Sequence, residues 1–161
     1  SDQTKSGVIG FLATSRTLAG YNFVRLFARY GEDVEILGQA CPGLVEQVEA
    51  GDLSGDKTRL LLQRYVLPLL EQKADTIVLG CTHYPFLAPL IREIAGPGVA
   101  VIDSAVAVAR QLSRRLEVGG LLADAADAGT ECFWTSGALD KAKPLFSQLW
   151  NADVEVRPLP D

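Results

Sequence analysis

Short apolar runs of β character alternate with longer stretches of helical period along most of the chain, and this alternation admits few architectures besides βα units on a parallel sheet. The pattern predicts strands near Val8–Leu12, Val34–Leu37, Thr76–Leu79, Val99–Ile102, Cys132–Thr135 and Val154–Val156. Between them it predicts helices at Leu18–Arg29, Gly43–Ala50, Lys57–Gln72, Phe86–Ile94, Ala105–Leu116 and Leu139–Trp150. The fold class is α/β: a three-layer sandwich around a mostly parallel sheet, whose strands are buried on both faces. With 161 residues, 48% of them hydrophobic, the chain suffices for one ordinary domain with a core.

The helix at Lys57–Gln72 is expected to carry Leu60, Leu61, Tyr65, Leu69 and Leu70 on one apolar stripe, with Pro68 kinking or shortening its last turns. The stretch Val118–Thr130, VGGLLADAADAGT, follows neither period and reads as a flexible connection. It divides the chain into a lobe at 1–117, a connection at 118–130 and an αβ tail at 131–161. No internal repeat, heptad run or low-complexity tract interrupts this plan.

Fifteen basic residues against twenty acidic ones give a net charge of −5, and no basic cluster exceeds Arg114-Arg115. Nucleic acid and anionic membranes are poor partners for such a surface. No apolar stretch approaches the length of a membrane span, and Ser1-Asp2-Gln3-Thr4-Lys5 does not resemble a signal peptide, so a cytoplasmic location is expected. Three cysteines without paired spacings fit reduced thiols in that compartment.

Chemistry concentrates in Val78-Leu79-Gly80-Cys81-Thr82-His83-Tyr84-Pro85, where a buried strand runs into a thiol, a hydroxyl and the chain's one histidine. Gly80 ends the strand, so Cys81 falls at the carboxyl edge of the sheet, and Pro85 suits the first turn of a following helix. Amide groups at such a helix start attract anions and favour a thiolate. Cys81 is thus a candidate base or nucleophile, and His83, two residues on, can share its face and tune it. The plainer reading is a buried structural cysteine beside a capping threonine. Structural zinc is disfavoured by one histidine and three scattered cysteines with no CxxC, and a hydrolase by the lack of an identifiable third group to orient the base. No metal is expected. Lys5, Lys57, Lys73, Lys141 and Lys143 all lie in polar surroundings unsuited to a pyridoxal Schiff base, so no cofactor is expected either.

VLGCTHYPFL at Val78–Leu87 closely resembles the second catalytic motif of glutamate racemases. GVIGFLAT at Gly7–Thr14, GQACPGLVEQVEAG at Gly38–Gly51, GPGVAVIDSAVAVAR at Gly96–Arg110 and FWTSG at Phe133–Gly137 resemble the same family in the same order. The resemblance implies cofactor-independent interconversion of L- and D-glutamate for bacterial peptidoglycan, one cysteine removing the α-proton and another returning it from the opposite face. Cys81 matches the second of these cysteines. Thr82 and His83 match positions that hold substrate and assist the thiol. Glu49 matches the acidic helper, with Glu46 one helical turn earlier as the alternative, and Thr14 adds a hydroxyl to the pocket. A helix cap is the competing role for Thr14 and for Asp103-Ser104.

The chain also departs from the family pattern. The family's first cysteine comes from an amino-terminal lobe with a Cys-Asn-Thr motif that this sequence does not contain. Cys41, after another strand, would approach substrate from the same edge as Cys81, and Cys132 begins a strand, so neither is a good second base. The resemblance packs the tail on that absent lobe, which here would leave Leu145, Phe146, Leu149 and Trp150 exposed and the fragment self-associating or held by its missing partner. Alternatives within the superfamily are an aspartate or hydantoin racemase or a single-cysteine decarboxylase. Outside catalysis, the alternative is a fragment that binds an acidic ligand without turning it over.

Overall fold

The computed structural model describes residues 4–21, 23–25, 34–124 and 129–160. These divide into two compact units, Ser1–Ser104 and Ala105–Asp161. The first is built on four parallel strands, β1 (Val8–Ala13), β2 (Glu35–Ala40), β3 (Thr76–Leu79) and β4 (Ala100–Asp103), in the order β2-β1-β3-β4. This is the mostly parallel α/β fold that the alternating pattern predicts. Its helices include α1 (Ser15–Leu18), α2 (Leu44–Glu49), α3 (Asp56–Glu71) and α4 (Ala88–Ala95), the last entered through a 3₁₀ turn at Tyr84–Leu87.

Register aligns the carboxyl ends of the strands. Ala13 pairs with Ala40, Leu12 with Leu79, and Leu79 with Asp103. The ladder continues past the strands, since the Cys41 amide donates to the Ala13 carbonyl at 3.0 Å and the Gly80 amide to Leu12 at 2.8 Å. Thr14, Cys41 and Cys81 consequently emerge along one edge. The core beneath them comprises Leu12, Leu44, Val48, Leu62, Val66, Ile77, Leu87 and Ile91, all fully buried.

Several expectations are corrected. The helix expected at Leu18–Arg29 instead begins at Ser15, stops at Leu18 and resumes at Tyr21, because Thr14 caps the earlier start; positions 22 and 26–29 lie outside the described residues. Strand β2 extends three residues beyond Leu37 because its partner β1 is long enough to continue the pairing to Ala40. Helix α3 continues through Pro68 to Glu71, since the proline sits on the exposed side. Its buried face is Thr58, Leu62, Tyr65, Val66 and Leu69, and Leu60 is 66% exposed rather than part of the stripe.

The second unit contains α5 (Ala105–Val118), α6 (Leu139–Trp150) and a two-stranded parallel sheet of β5 (Phe133–Thr135) and β6 (Val156–Pro158), the latter two residues later than expected. Phe133 packs edge-on against Phe146 and Trp150, with ring centroids 6.1 and 5.3 Å away. Leu145, Phe146 and Leu149 are therefore half-buried within this unit instead of exposed, while Trp150 is exposed. Among the described residues, no helix is long and apolar enough to cross a membrane.

Candidate functional site

The site lies within the first unit, where β3 gives way to the 3₁₀ turn. Gly80 must be glycine because the ring of Phe11 occupies the place of a Cβ there, and this close packing delivers the chain to Cys81. The next residues do not stay extended. Cys81 accepts from the Tyr84 amide at 3.2 Å, and His83 has helical backbone angles and accepts from the Phe86 amide at 3.3 Å. The turn, rather than strand alternation, brings the two side chains together, with Cys81 Sγ 3.9 Å from His83 Nδ1.

On the far side of the imidazole, His83 Nε2 lies 3.4 Å from Glu49 Oε1. Of the two candidate acids it is thus Glu49, the last residue of α2, whose carboxylate reaches the histidine. Both contacts are long for hydrogen bonds. The imidazole side chain is 34% exposed and the carboxylate 62%, so the line from Glu49 through His83 to Cys81 opens to solvent. Cys81 is half-buried and Thr82 exposed.

A carboxylate facing one ring nitrogen favours a proton there, leaving the other nitrogen to accept from the thiol or, when the ring is charged, to donate to a thiolate. The arrangement can therefore move a proton between Sγ and a carbon acid placed above it.

The remaining candidates are placed differently. Thr14 caps α1: its Oγ1 accepts from the Thr17 amide at 3.2 Å and lies 2.9 Å from the Thr17 hydroxyl. Cys41 shares the sheet edge but is 2% exposed and directs its thiol to the Gln39 carbonyl at 3.3 Å. Burial pushes this thiol up to about 12, opposed by the hydrogen bond from the backbone, with the nearby Cys81 adding to the rise. Cys41 is therefore a neutral, sealed thiol. Cys132 is exposed and belongs to the second unit. Among the described residues, no group of three or more His, Cys, Asp or Glu is placed to hold a metal ion.

Two tyrosines escape a reading of the sequence. Tyr84, fully buried, donates to the Cys41 carbonyl at 3.4 Å, and Tyr65, 5% exposed, donates to the Pro42 carbonyl at 2.7 Å. Helical periodicity marks Tyr65 only as core, and Tyr84 is overshadowed by the thiol, hydroxyl and imidazole before it.

Residues 3–112 match the family described as Asp/Glu/Hydantoin racemase. The chain belongs to this family. As a member, it is 52% identical over 157 residues to the glutamate racemase of Methylococcus capsulatus, spanning 98% of this chain and 58% of that protein. It is 55% identical over 135 residues to the glutamate racemase of Herpetosiphon aurantiacus, spanning 84% and 53%. Among solved structures, a glutamate racemase isoform from Bacillus anthracis superposes with a TM-score of 0.82 at 28% identity, over 99% of this chain and 59% of that one. The Escherichia coli glutamate racemase, solved with L-glutamate and the activator UDP-MurNAc-Ala, gives 0.78 at 27% identity, over 98% and 59%. This racemase-family chain thus spans little more than half the length of the relatives it matches.

Proposed function

We propose that this chain supplies one half of the catalytic centre of a glutamate racemase, with Cys81 as the acid-base on one face of the substrate's α-carbon. The observation that carries this reading is the line Glu49 Oε1–His83 Nε2 at 3.4 Å and His83 Nδ1–Cys81 Sγ at 3.9 Å, at the carboxyl edge of a parallel sheet. High identity to glutamate racemases supports the choice of substrate. The position of Glu49 adds to the case. A carboxylate in the last turn of a helix faces the negative end of the helix dipole, which costs about 0.3–1 kcal/mol, and α2 has no basic residue there to offset it. The structural rule is broken where a carboxylate can orient an imidazole.

In the proposed step the Cys81 thiolate forms an S–H bond as the Cα–H bond breaks. The carbon's electron pair moves toward the adjacent carboxylate, and a proton arrives at the opposite face from a second acid. In the reverse sense the Cys81 thiol donates. His83 holds the thiol's proton balance and Glu49 holds His83. The exposed Thr82 hydroxyl, with amides of the turn, is suited to the substrate carboxylates, and Thr14, at the same sheet edge, would add a hydroxyl while capping α1. Sealed Cys41 is unsuited to the second face, so the second base is proposed to lie in a lobe that the relatives possess and this chain does not cover. The D-glutamate formed would supply peptidoglycan.

The test is exchange of the α-proton of L- and D-glutamate in heavy water, followed by proton NMR, together with racemisation by a chain of the relatives' full length. Cys81→Ala is expected to abolish both. Substantial racemisation by the full-length Cys81→Ala variant would overturn the assignment.

A further inference from the structure

Helix α2 carries Glu49 to His83; its inner face, Leu44, Gln47 and Val48, is buried in the core, but its first turn has little of its own to hold it. It is six residues long, and its start at Gly43, with φ +91°, has no side-chain cap. A helix this short does not sustain itself by internal hydrogen bonds. What precedes it is the loop Cys41-Pro42-Gly43, and two consecutive carbonyls of that loop are taken by phenols from two different elements. Tyr65 reaches from α3 to the Pro42 carbonyl at 2.7 Å, a short bond, and Tyr84 reaches from the 3₁₀ turn to the Cys41 carbonyl at 3.4 Å, a long one.

Tyr84 belongs to the same turn as Cys81 and His83, and its own amide donates to the Cys81 carbonyl at 3.2 Å. One residue therefore joins the turn holding the thiol and imidazole to the loop from which the acid's helix departs. We propose that Tyr65 and Tyr84 are positioning residues, whose hydroxyls fix the Cys41-Pro42 loop and thereby hold the Glu49 carboxylate opposite His83.

A plainer explanation is that buried phenols simply need partners. Against it stands the choice of partner: adjacent carbonyls, from opposite sides, at the root of the one helix that brings Glu49. Burial raises both phenols above their ordinary range, so each remains a neutral donor whenever the site works. The inference rests on the Glu49–His83–Cys81 reading and adds residues that do not touch substrate.

The experiment uses this chain in a Cys132→Ser background, so that Cys81 is the accessible thiol, and follows carboxamidomethylation of Cys81 by peptide mass spectrometry at one fixed pH. Glu49→Gln is expected to slow the reaction, because the imidazole is no longer held against the thiol. Tyr65→Phe and Tyr84→Phe, which keep the ring, are each expected to slow it by roughly threefold. In the Glu49→Gln background the same tyrosine changes are expected to have no further effect, the signature of residues acting through Glu49.

If Glu49→Gln leaves the rate unchanged, the relay reading fails and the inference with it. If Glu49→Gln slows the reaction while both tyrosine variants do not, or if they slow it equally in the two backgrounds, the relay stands and the positioning role is overturned. A thermal melt of each variant, matched to its parent, identifies rate changes that arise from unfolding. Should one tyrosine variant fail to fold, the other still decides.

Discussion

The ring of Phe11 on β1 occupies the space that a side chain on Gly80 would need, just before the thiol of Cys81. Phe11 is itself fixed by Phe23, with ring centroids 4.9 Å apart, so it has little freedom to withdraw. Gly80→Ala is therefore expected to force the end of β3 away from β1 and to destabilise the first unit by about 1–3 kcal/mol, the usual range for overpacking. Urea unfolding followed by far-UV circular dichroism measures this. A change under about 0.5 kcal/mol would mean that the contact relaxes easily.

The buried thiol of Cys41 makes a prediction about alkaline pH. Its proton is held up to about 12 in the folded chain, against an ordinary value near 9 once unfolded. Between these values the unfolded chain binds fewer protons than the native one, so stability is fully present below about pH 9 and falls as pH rises through the window, by at most about 1.4 kcal/mol per pH unit. Tyr84, also raised by burial, acts in the same direction. Denaturant unfolding at pH 8 and pH 10.5 should show a clear loss in the parent and a smaller one in Cys41→Ala. Equal losses would place the alkaline sensitivity elsewhere.

Asp75 gives the opposite dependence at acid pH, at the amino edge of the sheet. Its carboxylate accepts from the Thr4 hydroxyl at 2.6 Å, the Lys5 and Ser6 amides at 2.7 Å each and the Thr76 hydroxyl at 3.1 Å. The Thr4 hydroxyl first, then the two amides and Thr76, hold the carboxyl well below the ordinary range. A depressed carboxylate contributes stability above its unfolded value near 4, lost as pH falls toward its folded value. Asp75→Asn should therefore speed hydrogen exchange at the Lys5 and Ser6 amides at neutral pH and remove the acid dependence of that protection. Unchanged exchange would show that the segment is held by its strand alone.

A contrast between elements shows what the sequence makes legible. Thr76–Leu79 and Leu139–Trp150 fall where expected, because each is an apolar run or periodic stretch bounded by turn residues. The run Leu60-Leu61-Leu62 is different, since three consecutive leucines leave the phase of a helix undetermined by hydrophobicity. The phase is set instead by Thr58, fully buried because its hydroxyl donates to the Asp52 carbonyl at 2.9 Å, a bond between residues that no periodicity links. Pro68 is tolerated for a related reason: on the exposed face, the Arg64 carbonyl to which Pro68 cannot donate is open to water. At the site, Cys81 and His83 are legible as residue types in a motif. The choice of Glu49 over Glu46 and the tyrosine ties to the Cys41-Pro42 loop depend on long-range packing, which one sequence does not display.

The second unit carries the last prediction. Its sheet has two strands of three residues each, and a two-stranded sheet is marginal without further packing. Among its described residues only Ala142 and Val154 are buried, against the long list of buried side chains in the first unit. Trp150 stays 51% exposed although its indole N–H donates to Glu131 at 3.0 Å, and Trp134 is 43% exposed. With so little interior, this unit should open at a lower free energy than the four-stranded sheet. Native-state hydrogen exchange is expected to show amides of β5, α6 and β6 losing protection at denaturant concentrations where β1 and β3 remain protected. Association of the chain with itself, or with the part of a longer relative that it does not match, should raise the protection of the second unit selectively by covering its apolar surface. Sedimentation at several concentrations, run beside the exchange measurement, separates the cases. A monomer at every concentration whose second unit is as protected as the first would overturn both the predicted weakness of the unit and the expectation that it needs a partner.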